Sequence, residues 1–143
     1  HWMSVGDSRL YILRNKHLTC LTKDHNYKNM LRENLKAGKV DMDFYNSEIS
    51  RGEALTSYLG LGNIVLIDTN EIPFQLQDED ILMLCSDGLY KTLTEEQIEA
   101  VVTESGGNIS IAGERLRETA GRWGRNGQDN TTVILLKISQ DCG

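Results

Sequence analysis

Two apolar runs that each meet an aspartate place the strongest constraint on this chain. Residues 81–86 form an apolar run that ends at Asp87-Gly88, and Asp129 opens a second run over 130–138. Such runs, bounded by turn residues, predict buried strands. Hard divalent cations such as Mg²⁺ and Mn²⁺ need charged oxygen ligands on a rigid frame. If the two strands pair, Asp87 and Asp129 come together and form half of a metal site.

Composition and charge narrow the class of protein. The 143 residues, 39% apolar and 25% charged, suit one globular domain. A net charge of −6 argues against nucleic acid as the main partner, because phosphate contacts need clustered Lys and Arg. No run approaches about 18 apolar residues, so no membrane-spanning helix is predicted. Cys20, Cys85 and Cys142 form no C-x-x-C pair, and the first two favour reduced core thiols and a cytoplasmic location.

The order of the predicted elements indicates an α+β fold, because strands come first, helices late and a strand last. Asp24 is the predicted N-cap of the first helix, and Thr94 with Gln97 forms a capping box before a later one. The predicted segments are strands 1–5, 9–14 and 17–22 in a meander with a turn at Asn15-Lys16, helix 24–36, an aperiodic excursion 39–53, strand 64–67, an edge segment 71–76, strand 81–85, a helical turn 89–93, the capped helix, helix 110–123, a loop 124–128 and strand 130–138.

Each acidic motif has an ordinary structural interpretation beside the functional one. Asp87-Gly88 alone fits a common turn after a strand, and Asp129 alone fits an Asx turn oriented by Asn130. Asp7 alone fits a solvated hairpin turn. The pair Asp87 and Asp129, both at strand ends, favours the metal interpretation over either residue taken singly.

Two basic residues are weaker candidates. His25 lies beside Asp24, and a structural histidine at a helix start is favoured over a catalytic acid. Arg9 fits either phosphate binding or a pair with a surface carboxylate.

Five short motifs occur in a fixed order along the chain. They are Gly6-Asp7-Ser8-Arg9, residues 21–25 (Leu-Thr-Lys-Asp-His), residues 55–60 (Leu-Thr-Ser-Tyr-Leu-Gly), residues 84–89 (Leu-Cys-Ser-Asp-Gly-Leu) and residues 129–133 (Asp-Asn-Thr-Thr-Val). This succession resembles the metal-dependent Ser/Thr protein phosphatases, the type-2C or PPM family, and particularly its bacterial members. The resemblance extends over residues 2–138.

The resemblance implies a fold, a cofactor and an activity. The family fold is an antiparallel β-sandwich flanked by helices, with two Mn²⁺ or Mg²⁺ ions at one end. Asp87 and Asp129 match core metal ligands, and Asp7 matches a residue that helps Asp87 to hold a third, weaker ion. Residues 39–53 match a flap beside the active site. The implied reaction is hydrolysis of phosphoserine and phosphothreonine on protein substrates by a metal-activated water.

The resemblance also implies that residues 1–143 are the C-terminal part of one incomplete domain. The family's N-terminal half carries a phosphate-binding arginine, an early acidic residue and an Asp-Gly-(His/Tyr)-Gly-Gly motif, none of which this chain contains. We therefore expect the chain alone to be inactive. It is expected to pair with the missing segment, to self-associate through open strands or to swap elements with a copy. The alternatives are a non-catalytic, phosphatase-like module that binds a partner and a generic α+β domain with chance motifs.

Overall fold

The computed structural model describes residues 1–123 and 129–140, which divide into two compact units. The first comprises His1–Asp7 and Lys23–Glu71, and the second comprises Ser8–Thr22 and Ile72–Gly143. In chain order the elements are β1 (Met3–Ser4), β2 (Arg9–Arg14), β3 (His17–Cys20), α1 (Tyr27–Lys36), α2 (Met42–Glu48), a 3₁₀ turn (Ile49–Arg51), β4 (Asp68–Thr69), β5 (Ile81–Cys85), α3 (Asp87–Tyr90), α4 (Glu95–Glu104), α5 (Ile109–Trp123) and β6 (Val133–Lys137).

A four-stranded antiparallel sheet with the order β3-β2-β5-β6 forms the frame of the second unit. Asn15 and Lys16 connect β2 to β3 with φ angles of 53° and 63°. Two consecutive left-handed residues are typical of a two-residue turn whose twist matches the strands. The hairpin predicted at Asn15-Lys16 is therefore confirmed, as are the strands over 9–14 and 81–85. The strand predicted over 17–22 is confirmed only as far as Cys20.

The core of the second unit lies on one face of this sheet. Residues that alternate along each strand share a face, so Tyr11 of β2 and Met83 of β5 are register partners that point the same way. Both are almost fully buried, and they belong to one cluster with Leu116 of α5. Burying each such side chain contributes about 1.5–3 kcal/mol, so this face anchors the strands that carry the candidate ligands.

The two helices of the second unit follow the sequence closely. The Thr94 N–H donates to Gln97 Oε1 at 2.9 Å, and the Gln97 N–H donates to Thr94 Oγ1 at 3.3 Å, which confirms the capping box. In α5, Ala112, Leu116 and Ala120 are buried, whereas Ile111 is 42% exposed.

The β-structure of the first unit departs from the prediction. Instead of joining a meander, β1 pairs with β4 in a separate two-stranded sheet, with Met3 opposite Thr69. The described residues 64–67 and 71–76 form no strand, so both of those predictions were wrong. Residues 64–67 expose their apolar side chains, and only the two residues that follow them find a strand partner.

The helices of the first unit were also only partly predicted. α1 is capped by Asn26, whose side chain accepts from the Asn29 N–H at 2.9 Å, so the prediction of Asp24 as the cap was wrong. The excursion over 39–53 contains α2, which is capped by Asp41 through the Phe44 N–H at 2.8 Å.

The fold class matches the prediction of antiparallel sheets with flanking helices. Within residues 1–123 and 129–140, none of the helices combines the length and apolar character needed to cross a bilayer. The loop predicted at 124–128 lies outside the described residues. Cys20 and Cys85 are not joined in a disulfide, and Cys85 is buried in the core, as expected; Cys142 is outside the described range.

Candidate metal site

Asp87 occupies the first turn of α3, directly after β5. Cys85 ends the strand, and Ser86 is the extended N-cap residue between the two elements. The Asp87 side chain is 23% exposed, and Lys91, one turn further along, donates to its Oδ2 at 2.8 Å. The first candidate ligand is therefore half-buried and fixed to the end of a rigid strand.

Ser86 joins this end of β5 to the chain leading into β6. Its N–H donates to the Thr132 carbonyl at 3.1 Å, which continues the ladder beyond the last paired residues. Its hydroxyl accepts from the Thr132 N–H at 3.0 Å and donates to the Asn130 carbonyl at 3.1 Å. The hydroxyl thus holds the segment that begins at Asp129 against the end of β5.

Gly88 allows a very close approach at the same place. A Cβ at position 88 would lie 2.7 Å from the Asn130 carbonyl oxygen and 2.9 Å from that of Asp129. Side chains are not tolerated at such distances from backbone oxygens, so the packing requires glycine. The backbone of Asp129 therefore lies against the first turn of α3. The structure brings together the segments that carry Asp87 and Asp129, as the strand pattern predicted.

The local geometry at Asp129 differs in one detail from the sequence interpretation. The Asn130 backbone N–H, rather than its side chain, donates to Asp129 Oδ1 at 2.8 Å. Asp129 is exposed. The backbone therefore orients this carboxylate, and a position-130 side chain is not needed for that bond.

Asp7 follows β1 in the turn that begins at Gly6, and it belongs to the first unit. Its assignment to a third, weaker ion remains a prediction. Nearby, the Gly6 N–H donates to Nδ1 of buried His25 at 3.2 Å, and the His25 N–H donates to the Gly6 carbonyl at 2.8 Å. These contacts give His25 a structural role, as expected from the sequence.

The donor chemistry at the end of β5 and β6 fits a hard divalent cation only in part. Two carboxylates supply the charged oxygens that Mg²⁺ or Mn²⁺ prefers. Within residues 1–123 and 129–140, however, no three His, Cys, Asp or Glu side chains cluster as a metal site requires. The described residues therefore offer part of an ion's ligand shell.

Lys91 is a neighbour of the site that the sequence interpretation missed. Its ammonium lies 2.8 Å from Asp87, four residues earlier on the same helical turn. The i,i+4 spacing of opposite charges was visible in the sequence and predicts such a contact. Lys91 neutralises part of the charge that a cation would otherwise balance.

Arg9 packs against Tyr90, the last residue of α3. Its guanidinium lies 3.7 Å from the centroid of the Tyr90 ring and donates to the Tyr11 hydroxyl at 2.9 Å. The Tyr11 hydroxyl in turn donates to Glu95 at 3.2 Å, and burial raises the pKa of Tyr11. Of the two interpretations of Arg9, these contacts favour pairing with a carboxylate, since Glu95 lies 3.7 Å away.

Comparison with known proteins gives protein phosphatases as sequence relatives. The chain is 34% identical to the serine/threonine phosphatase Stp of Listeria welshimeri over 134 residues, which are 94% of this chain and 50% of that protein. It thus spans about half the length of the curated relatives it matches. No protein-family model matches it.

Three solved structures with a similar fold are also serine/threonine phosphatases. The Streptococcus agalactiae serine/threonine phosphatase superposes with a TM-score of 0.76 at 29% identity, over 96% of this chain and 53% of that one. The PPM Ser-Thr phosphatase MsPP of Mycobacterium smegmatis gives 0.70 at 29% identity, over 96% and 55%. The catalytic domain of PstP, solved with two manganese ions, gives 0.65 at 27% identity, over 96% and 53%. In sequence and in fold, this chain is therefore similar to bacterial serine/threonine phosphatases, a PPM phosphatase among them, and it matches about half of their length.

Proposed function

We propose that this chain is the C-terminal portion of a cytoplasmic phosphatase domain that hydrolyses phosphoserine and phosphothreonine on proteins. The observation that carries the proposal is the close packing at Gly88, which sets Asp129 against the helical turn of Asp87. Carboxylates carried by neighbouring ends of paired strands suit a metal-dependent hydrolase. The named phosphatase relatives support the same reaction.

Asp87 and Asp129 would hold Mn²⁺ or Mg²⁺, and Asp7 would contribute to a third, weaker ion. The manganese in the PstP structure supports this choice of metal. When bound, the ions supply an acidified water and positive charge for the phosphoryl oxygens. The chain's own part is to hold the two carboxylates in place. The hydrogen bond from Ser86 to Thr132 joins the end of β5, which precedes Asp87, to the segment that follows Asp129, and the Asn130 N–H orients the Asp129 carboxylate.

We further propose that the chain alone has little activity. The described residues provide no cluster of three ligating side chains, and Lys91 already balances the charge of Asp87. The remaining ligands and the phosphate-binding arginine would come from the other half of the domain. Residues 39–53, which contain α2, would be the flap beside the active site of that complete domain.

The second candidate is a non-catalytic, phosphatase-like module that binds a partner. The Lys91–Asp87 ion pair is the observation that favours it, because the Lys91 ammonium can neutralise Asp87 in place of a metal ion. The two candidates differ in whether a divalent cation displaces Lys91 from Asp87.

Metal binding is tested by calorimetric titration with Mn²⁺. The protein is a domain made by fusing this chain to the unmatched half of Listeria welshimeri Stp. Asp87→Asn and Asp129→Asn should each lower the affinity about 100-fold or more, since each removes a charged ligand. Glu118→Gln is the matched control, because Glu118 is also a helical carboxylate with an i,i+4 ion pair, to Arg122, and lies outside the candidate site. Equal affinity in all four proteins would refute the metal assignment.

Activity is tested on the same fusion with p-nitrophenyl phosphate and a phosphothreonine peptide. We expect Mn²⁺-dependent turnover by the fusion and almost none by the chain alone. Strong turnover by the chain alone would refute the proposed dependence on the other half. A fusion that binds Mn²⁺ through Asp87 but hydrolyses neither substrate would favour the non-catalytic module.

A further inference from the structure

One face of α1 is lined with basic side chains. Lys28, Arg32 and Lys36 are four residues apart, so they lie in a row along the helix, and Lys39 follows just beyond its end. Glu33 is the only acidic residue in α1. This short segment is therefore basic within a chain whose net charge is −6. We call Lys28, Arg32, Lys36 and Lys39 the basic stripe.

Most of the basic stripe is unpaired and open to solvent. Lys36 is 74% exposed, and its ion pair is with Glu33 at 3.1 Å, which is itself 73% exposed. Arg32 and Lys39 are exposed, and Lys28 is half-buried. In the described part of the chain, these three residues have no ion pair. The stripe therefore presents three cationic groups that the fold leaves without a carboxylate partner.

The placement of these charges opposes the stability of α1. Like charges four residues apart on a helix repel one another. Lys28 lies in the first turn, where the helix dipole disfavours a cation, and that turn contains no acidic residue. The helix is stabilised instead by the Asn26 cap and by burial of Leu31. Because folding does not need the basic stripe, its charge points to a partner.

The neighbouring helix α2 does not neutralise the stripe. The side chain of Asp41 caps α2, and Glu48 accepts from the Tyr27 hydroxyl at 2.9 Å and pairs with Arg51 at 3.4 Å. Asp43 is exposed. Within residues 1–123 and 129–140, none of these three carboxylates pairs with a residue of the stripe. The row of positive charge is therefore available to an external anion.

We propose that the basic stripe of α1 binds an acidic segment of the phosphorylated protein substrate, in addition to the phosphate that is hydrolysed. This rests on the proposed function, because it names a feature of the substrate that the phosphatase would recognise. Opposite charges supply the attraction. Further phosphate groups on the same substrate would add to it, since each has a charge of about −1.5 to −2 at neutral pH.

The spacing of the stripe fits an extended peptide. Residues four apart on a helix are separated by about 6 Å along its axis. Alternate residues of an extended chain, which share a face, are separated by about 6.6 Å. Acidic residues at every second position of a substrate segment can therefore face Lys28, Arg32 and Lys36 in turn.

Two other kinds of anionic partner fit less well. A helix that binds a membrane surface needs an exposed apolar face, whereas α1 buries Leu31 inside the protein. Nucleic acid binding needs clustered cations that overcome the repulsion between two polyanions, and the net charge of −6 opposes it. A short acidic segment of a protein is therefore the favoured occupant.

Fluorescence anisotropy tests the binding on the chain itself. The probe is a labelled peptide with glutamate at alternate positions, and the control peptide has glutamine at those positions. We expect the glutamate peptide to bind at least about tenfold more tightly. Arg32→Glu should weaken its binding about tenfold. Arg115→Glu is the matched control, because Arg115 is an exposed helical arginine of α5 that has no ion pair in the described residues.

Three results of this titration would overturn the proposal. They are equal binding of the two peptides, equal effects of Arg32→Glu and Arg115→Glu, and tighter binding of either competitor. The competitors are duplex DNA and vesicles that contain phosphatidylglycerol. Either one, bound more tightly than the glutamate peptide, would identify a different class of partner.

Lys28→Glu separates binding from folding. It replaces an unfavourable charge in the first turn of α1 by a favourable one, so it should raise the melting temperature of the chain by about 2 °C. It should also weaken binding of the glutamate peptide about tenfold, whereas Lys28→Arg should preserve it. A merely structural Lys28 would give the opposite result, which is a lower melting temperature with unchanged peptide affinity.

Kinetics of the fusion with the Listeria welshimeri Stp half link the stripe to the substrate. Glutamates on both sides of the phosphothreonine should lower KM about tenfold relative to glutamines and leave kcat unchanged, since they add binding only. Arg32→Glu should remove this difference and leave turnover of p-nitrophenyl phosphate, which has no peptide segment, at the wild-type rate. Equal KM values for the two phosphopeptides in the wild-type fusion would refute the assignment to substrate.

These outcomes separate the basic stripe from the proposed reaction. Binding of the glutamate peptide through Arg32 without any hydrolysis by the fusion would refute the phosphatase and leave the acidic-segment site intact. Hydrolysis of both phosphopeptides with equal KM values would refute the role of the stripe and leave the phosphatase intact.

Discussion

The two ends of β5 each carry an aspartate, and the two carboxylates are held in different ways. At the start, Asp80 is 1% exposed and accepts from Arg14 Nε at 2.8 Å, Arg14 Nη2 at 2.6 Å and the Gln77 N–H at 2.7 Å. At the end, the 23% exposed Asp87 has an ion pair with Lys91, whose side chain is 40% exposed. A carboxylate surrounded by fixed protein donors is structural, whereas one that keeps exposure and acceptor capacity remains available for a cation.

The largest effect on stability is expected at the start of β5, where Asp80 pairs with Arg14; we call this the structural end. Asp80→Asn should lower the free energy of unfolding by about 3 kcal/mol, because it leaves Arg14 without the bidentate partner of a buried pair. Urea denaturation of the chain measures this. The same variant of the fusion should bind Mn²⁺ as tightly as wild type does. A loss of Mn²⁺ affinity would contradict a purely structural role of Asp80.

Gly88→Ala tests the packing of the first turn of α3 against the backbone of Asp129 and Asn130. A Cβ would lie within 3 Å of the carbonyl oxygens of Asp129 and Asn130, so the backbone on one side of this contact must move. We expect about 2 kcal/mol of destabilisation from overpacking, together with weaker Mn²⁺ binding by the fusion. Gly121→Ala, where a Cβ meets nothing within 4 Å, is the matched control and should be neutral or slightly stabilising. Equal stability of the two variants would contradict the close approach.

Acid should weaken the ion pair between Asp80 and Arg14. The hydrogen bonds from Arg14 hold the pKa of Asp80 below its ordinary value, so the folded state binds fewer protons than the unfolded state at low pH. The stabilisation is present above about pH 4 and is lost as pH falls through the folded pKa. The stability difference between wild type and Asp80→Asn, measured by thermal melts, should therefore shrink below about pH 4. A difference that stayed constant to pH 2 would contradict this assignment.

The smallest expected effect belongs to the end of β5 that carries Asp87. Lys91→Met removes the ammonium that a cation must displace from Asp87, so the fusion should bind Mn²⁺ about threefold more tightly. Stability should change by less than about 0.5 kcal/mol, because partly exposed i,i+4 pairs contribute little. Weaker Mn²⁺ binding in this variant would show that Lys91 supports the site rather than competing with the ion.

The sequence predicted the parts of this fold that bury apolar side chains at regular spacing. Strands 9–14 and 81–85 were found because they are apolar and bounded by turn residues. The pairing of Met3–Ser4 with Asp68–Thr69 was missed because a two-residue ladder has no period. Asn26 replaced Asp24 as the cap at a position fixed by its bridge to Leu55, a contact that no local pattern contains.

The candidate site was predicted to a similar extent. Strand ends gave Asp87 and Asp129, and pairing of β5 with β6 brought their segments together. The dual role of the Ser86 hydroxyl was not predictable, because it depends on the ladder ending one residue earlier. The i,i+4 spacing of Lys91 from Asp87 was available in the sequence and was overlooked. The third-ion role of Asp7 stays a prediction.

The central pairing of β2 with β5 has a kinetic consequence. Residues 9–13 must find residues 81–85, whereas the hairpin of β2 and β3 needs only a two-residue turn. Closing the long loop costs about 4 kcal/mol of chain entropy before any contact repays it. The β2–β3 hairpin should therefore form before β5 pairs with it. The pairing of β5 with β2 should then be the rate-limiting step of folding.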